Sequence, residues 1–203
     1  RACLGYVPAA NDAFTFRLAT GLYYQRPFYK ELRDTVTTDG NTVVQLNKDI
    51  KSQRSFQILT AMEYKFKLAD RPFKFSTELY YKAQSRLNPY NVDNVKIVYY
   101  GNNCASGYVI GADFKLYGEF VPGTDSWISF GLMKAQMRLN GKSIPQPTDQ
   151  RYNINFFFSD YFPSTDRWKM TLQGHYAGGL PFGPPHSGRE KQVFRMSSYR
   201  RVD

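Results

Sequence analysis

Apolar and polar residues alternate along most of this chain. In RPFKFSTELYYK (residues 71–82), Phe73, Phe75, Thr77, Leu79 and Tyr81 share one parity, and Lys74, Ser76, Glu78, Tyr80 and Lys82 share the other. Successive side chains of a strand point to opposite faces, so this stretch predicts a strand with one apolar face and one charged face. The pattern recurs. AFTFRLATGLYYQ sets Phe14, Phe16, Leu18, Leu22 and Tyr24 against Thr15, Arg17, Ala19, Gly21 and Tyr23. SFQILTAMEYKFK sets Phe56, Ile58, Met62, Tyr64 and Phe66 against Gln57, Glu63, Lys65 and Lys67. YVIGADFKLYGEF sets Ile110, Ala112, Phe114, Leu116 and Phe120 against Asp113, Lys115, Tyr117 and Glu119. WISFGLM, RYNINFFF and RWKMTLQGHY repeat it with Ile128, Phe130 and Leu132; with Tyr152, Ile154, Phe156 and Phe158; and with Trp168, Met170, Leu172 and Tyr176. Together with ACLGYV, the period predicts about eight strands of about ten residues. The final YRRVD reads as the opening of another strand.

The connections alternate in length. PAANDA (8–13), LADRP (68–72), VPGTDS (121–126) and FPSTDR (162–167) are short and rich in Pro, Gly, Asn and Asp, as tight turns require. Residues 26–54, 85–107, 136–150 and the tail from 178 are longer and polar. Short turns on one side and long loops on the other belong to transmembrane β-barrels. The expected fold is therefore all-β: an antiparallel transmembrane barrel segment of about eight strands, with residues 1–203 forming part of one barrel domain. On that reading Phe14, Phe16, Phe56, Ile58, Phe73, Phe75, Leu79, Phe114, Leu116, Phe130, Ile154, Phe156, Trp168 and Leu172 face lipid. Phe66, Phe73, Phe120, Trp127, Phe162 and Trp168 crowd the short-turn end, where an interfacial aromatic girdle would sit. Tyr23, Tyr80, Lys82, Asp113, Arg151 and Asn153 are candidates to face a lumen near the long loops, against a ligand or a plug. The competing architecture is a soluble sandwich or lipocalin-type barrel whose apolar positions point inward. Against it stand the many Tyr, Lys and Glu residues of the polar face, and hairpins that follow one another with no helical segment to cover an edge.

Composition narrows the function classes. The 203 residues include 16 Tyr and 16 Phe, and no apolar run approaches the roughly 20 residues of a membrane helix, which excludes a helical membrane protein. The net charge of +10 suits an anionic partner, but the basic residues are interleaved with acids and aromatics instead of forming a run, which argues against nucleic acid. Cys3 and Cys104 lie far apart without CxxC or Cys/His spacing, so neither a disulfide framework nor a metal site is expected. No signal peptide is visible, and both ends read as cuts within a longer protein. The two histidines, His175 and His186, have no GxSxG elbow to serve, and catalysis is not expected. Asp113, Lys115 and Glu119 read more simply as a cross-strand charge ladder than as acid and base partners. No phosphate cradle or cofactor motif is present; Gly178, Gly179 and Gly183 precede prolines and no helix follows. Tyr24, Phe28, Tyr29, Tyr90, Tyr99 and Tyr100 either pack loops together or form a stacking platform for a sugar, peptide or aromatic chelate.

Longer motifs carry a specific resemblance. FRLATGLYYQRPFYKEL with KDIKSQRSFQILTAMEYKF, then GYVIGADFKLYGEFVPGTDSW, PTDQR (147–151) and GLPFGPP (179–185), resemble the paired strands of TonB-dependent outer-membrane receptors, in particular those of Bacteroidetes. The resemblance runs over essentially the whole chain. It implies a plugged barrel of about 22 strands that imports a scarce ligand (metal chelate, vitamin, glycan or peptide) across a Gram-negative outer membrane. It also implies outer-membrane lipid as surroundings, TonB as a partner acting through a plug, and a surface lipoprotein as a further partner. The chain carries no plug, no TonB box and no terminal aromatic strand, so the resemblance makes it an internal portion of the wall. The segment 136–150 is short for that family. Two alternatives stand beside it: a soluble β-sheet module binding an anionic ligand, and a self-contained eight-stranded outer-membrane barrel with a passive-pore or structural role.

Overall fold

The computed structural model describes the chain except residues 39–40, 94–95, 163–164 and 166; for residues 34–38, 41–43 and 93 it describes the backbone only. Of the expected turn FPSTDR, residues Pro163, Ser164 and Asp166 therefore lie outside the described residues.

The alternating segments form one antiparallel sheet in which sequence neighbours are spatial neighbours. Its path runs through β1 (Ala2–Tyr6), β2 (Phe14–Gln25), β5 (Gln53–Leu68), β6 (Arg71–Leu87), β9 (Ala105–Gly118), β10 (Ser126–Leu139), β12 (Tyr152–Tyr161), β13 (Lys169–Ala177) and β16 (Tyr199–Val202). The terminal YRRVD supplies the last of these nine strands, pairing Tyr199 with Ala177 and Val202 with Gly174. The long connections fold as well. β3 (Arg33–Thr38) pairs with β4 (Asn41–Leu46), β7 (Tyr90–Asp93) with β8 (Lys96–Tyr99), and β14 (Pro181–Phe182) with β15 (Phe194–Arg195). β11 (Lys142–Pro145) extends the main sheet by pairing with β10. Among the described residues the helical content is one turn, α1 (Tyr29–Leu32), and a 3-10 turn at Arg189–Lys191.

Local chemistry fixes two of the hairpins. Leu68 pairs with Arg71 across Ala69 and Asp70, and Leu139 with Lys142 across Asn140 and Gly141. All four central residues have positive φ, from 50° to 79°. That is the two-residue turn whose twist matches the flanking strands, and Asn-Gly is its most favourable sequence.

Register keeps the two faces separate across the sheet. One cross-strand row reads Phe14, Tyr64, Phe75, Leu116, Ile128 and Phe156. The row beside it on the opposite face reads Thr15, Glu63, Ser76, Lys115, Ser129 and Asn155, ending in His175 and Arg201. A slip of one residue in any strand would mix the two sets. Aromatic neighbours reinforce the apolar face: Phe14 stacks on Tyr64 at 4.4 Å between ring centroids, and Phe114 lies between Phe75 and Phe130 at 6.5 and 6.3 Å. Each such pair contributes roughly 0.2–1 kcal/mol.

No second layer of described residues covers the apolar face. Leu79, Ile110 and Leu132 keep 54%, 49% and 44% of their surface exposed in the middle of the sheet. The buried apolar cluster is small and lies at the long-loop end, where Ala105, Met137, Leu139 and Ile144 pack with Leu87. Two aromatics depart from the simple pattern. Phe73 lies on the apolar face by register but is buried, because its partner Gly118 has no side chain and the ring lies over that glycine, with Phe120 edge-on at 5.1 Å. Trp127 lies on the polar face, between its partners Tyr117 and Phe157, so it stands apart from the aromatics of the apolar face at the short-turn end.

Candidate functional site

The polar face and the loops above it carry the chemistry. Tyr23, Tyr80, Lys82, Asp113 and Asn153 belong to this face by register and Arg151, just before β12, by its parity with Asn153, but the six divide into three groups. Asp113 and Asn153 flank Gly131, the residue of β10 between them, and with Ser76, Glu78, Lys115 and Ser129 they line a hollow of about 340 Å³. A Cβ at Gly131 would come within 2.7 Å of both the Asp113 carboxylate and the Asn153 amide, so glycine lets these polar groups approach across β10. Glu78 stands directly opposite Asp113, an unfavourable like-charge neighbour, and among the described residues neither carboxylate has an ion-pair partner. Lys115 turns instead to the Trp127 ring, 4.6 Å from its centroid.

The second group lies toward the long loops. Tyr23 and Lys82 line a hollow of about 320 Å³ with Gln53, Gln57 and Gln84. Tyr80 lies across Gly111, its partner on β9, with the Lys82 ammonium 5.7 Å from its ring. The Arg1 guanidinium covers Tyr23 at 4.5 Å. This hollow is amide-rich and is lined by two cations, Lys82 and Arg54.

Arg151 belongs to neither hollow. Its Nε donates to Asp149 Oδ2 at 2.9 Å, and Asp149 is fully buried. The other Asp149 oxygen accepts the Ala135 backbone N–H at 2.6 Å, and Arg195 from the tail adds an ion pair to the same carboxylate. Arg195 also donates to the Asp149 and Gly179 carbonyls at 2.7 and 3.2 Å. One carboxylate thus ties β10, the segment before β12 and the tail together. Nearby, Arg189 is completely buried and donates to Gln192 Oε1 at 2.9 Å and to the Pro145 carbonyl, while its backbone N–H reaches the Tyr100 hydroxyl at 3.4 Å. Burial pushes the Arg189 guanidinium below its usual value. Glu190 takes a hydrogen bond from Asn140 at 2.8 Å and an ion pair from Lys142 at 3.5 Å, and its carboxyl is held below the usual range by the first and then the second. Asn47 and Asn103 join the first two long loops: Asn47 donates to Gly101, and Asn103 to Lys51 and Arg86.

The periodic pattern gave no sign of Asp149, Arg189 and Arg195, which sit where alternation stops. The PTDQR segment held the one visible cue, an acid and an arginine two residues apart. The loop aromatics divide: Tyr90 meets Tyr99 edge-on at 5.6 Å and burial raises the pKa of both, Tyr100 reaches Asn91 and Arg189 while keeping an exposed ring, and Tyr24, Phe28 and Tyr29 stay exposed. His175 lies in the polar row, with Nδ1 2.6 Å from Asn155 Oδ1 and Nε2 3.0 Å from Gln173 Nε2. The Gln173 amide is a donor, so the neutral ring carries its proton on Nδ1. Cys3 and Cys104 are free and exposed. Among the described residues no helix is long and apolar enough to cross a membrane.

No protein-family model matches the chain, and no curated protein matches it.

Proposed function

We propose that this chain is a wall segment of a TonB-dependent outer-membrane transporter, with its apolar face against lipid and its polar face lining the lumen. One observation carries the membrane part: the nine-strand path of the main sheet keeps a continuous apolar face, and no second layer of described residues covers it. A soluble sandwich would bury that face, since contiguous exposed apolar surface beyond a few hundred Å² is rare on soluble monomers. The short and long connections support the same reading, with short turns on the periplasmic side and folded loops outside. Transport of the TonB type rests on the motif resemblance. Two of its most specific segments meet through Arg195, which joins Asp149 of PTDQR to Gly179 of GLPFGPP. In the full-length protein the two polar hollows face a plug or a passing ligand, TonB acts through that plug, and a surface lipoprotein contacts the loops.

Adjacent residues of β10 provide the test. Phe130→Arg puts a cation on the apolar face and Ser129→Arg puts the same cation on the polar face. Folding into phosphatidylcholine vesicles should lose about 2–4 kcal/mol for Phe130→Arg near the midplane and little for Ser129→Arg. Equal tolerance of both, or a monodisperse protein without detergent, would favour the soluble anion-binding module.

A further inference from the structure

The apolar face is not evenly filled. Across β5, β6, β9 and β10 one row carries Thr60, Leu79, Ala112 and Leu132, and the next carries Ile58, Tyr81, Ile110 and Lys134. Thr60 and Ala112 are too short to fill the space between their neighbours. They leave a groove of about 740 Å³ walled by Ile58, Leu79, Ile110 and Leu132, with Lys134 at its long-loop end. That volume lies within the roughly 300–1,000 Å³ of ligand sites.

Cations gather toward one end of this face. Lys134 and Arg138 both lie toward the long loops. Arg200 joins them, because the stagger of the sheet places it beside Tyr176, next to the long-loop end of β13. Among the described residues none of the three has a carboxylate within 4.0 Å. Where this face meets the short turns it carries Arg71 and the acid Asp160 instead. Lys134 is exposed and follows Ile128, Phe130 and Leu132 on its strand face, so apolar surface gives way to a cation within one step of the pleat. Tyr81 stacks on Tyr108 at 6.4 Å beside it, adding hydroxyl donors.

We propose that this groove seats a phosphorylated lipid, with one acyl chain over Ala112 between Leu79 and Leu132 and its anionic headgroup on Lys134. Arg138, about 13 Å further along the same strand face, receives a second phosphate. The proposal rests on the membrane reading above, in which this end of the sheet reaches the outer leaflet. Lipid tails surround the whole apolar face, so tail contact alone selects nothing; selection comes from the groove's shape and from ion pairing at the membrane surface.

The test folds the protein into phosphatidylcholine vesicles with and without diphosphoryl lipid A, extracts it in mild detergent and counts retained lipids by native mass spectrometry. Lipid A should be retained in preference to phosphatidylcholine. Lys134→Gln should weaken retention about fivefold, the effect of one interfacial cation, and Lys134→Arg should restore it. Ala112→Phe fills the groove and should abolish the preference while leaving insertion intact. Equal retention of the two lipids, or a preference unmoved by Lys134→Gln and Ala112→Phe, would overturn the proposal while leaving the wall reading in place. Failure of the unmodified protein to enter phosphatidylcholine vesicles would overturn both.

Discussion

Asp149 shows how much one side chain can decide. Its carboxylate is fully buried, while Arg151 and Arg195 keep part of their surface in water. Asp149→Ala leaves the Ala135 N–H without its side-chain acceptor and both guanidinium groups without a counter-charge. Removing one member of a fully buried pair costs about 3–5 kcal/mol, and the partial exposure of the arginines reduces this to about 2–3 kcal/mol. Denaturant unfolding in detergent should register that loss, with Asp149→Asn in between because the amide keeps one acceptor. The sequence placed Arg151 on the polar face from its parity. It could not supply the partner, because residues 146–150 do not alternate and their position depends on how the loop returns to β10.

At the scale of elements, the strands were legible because each is two-faced and their register follows from keeping the faces apart. The loop hairpins were less so. Asn140-Gly141 is a strong local turn signal, yet it falls inside a segment that reads as a polar loop, and β11 is too short to show a period of its own. The tail 178–198 shows no alternation. It is held by point contacts, of which the Glu190 clasp to Asn140 and Lys142 responds to pH. The folded pKa of Glu190 lies below its unfolded value, first through the Asn140 hydrogen bond and then through Lys142. The contribution is therefore present above the unfolded carboxylate pKa and is lost as pH falls through the folded one. Hydrogen-exchange protection factors of residues 188–192, taken relative to intrinsic exchange at each pH, should fall on acidification through that window, and Glu190→Gln should remove most of that dependence. An unchanged profile in the variant would assign the dependence to other carboxylates.

At the scale of the whole molecule the decisive question is what β1 and β16 meet. Nine strands that alternate in direction leave the first and last running the same way, so closure of this sheet on itself would need a parallel seam. Bacterial single-chain barrels close antiparallel on an even number of strands. The extra strand, YRRVD, therefore argues against the self-contained barrel, which would join first strand to last. Cys3 allows a direct measurement, since it is exposed on β1 and faces the polar side with Ala19 and Leu59. With Cys104→Ser as background, cysteines placed one at a time at Tyr199, Arg200 and Arg201 of β16 should form no intramolecular disulfide with Cys3 under oxidising conditions in vesicles. A bond needs the two Cα atoms within about 7 Å, so its formation would require β1 and β16 to meet, which a wall segment with both edges apart does not allow. A monomeric disulfide-linked species would show β1 and β16 meeting and sink the wall reading, in which both edges are left for neighbouring strands.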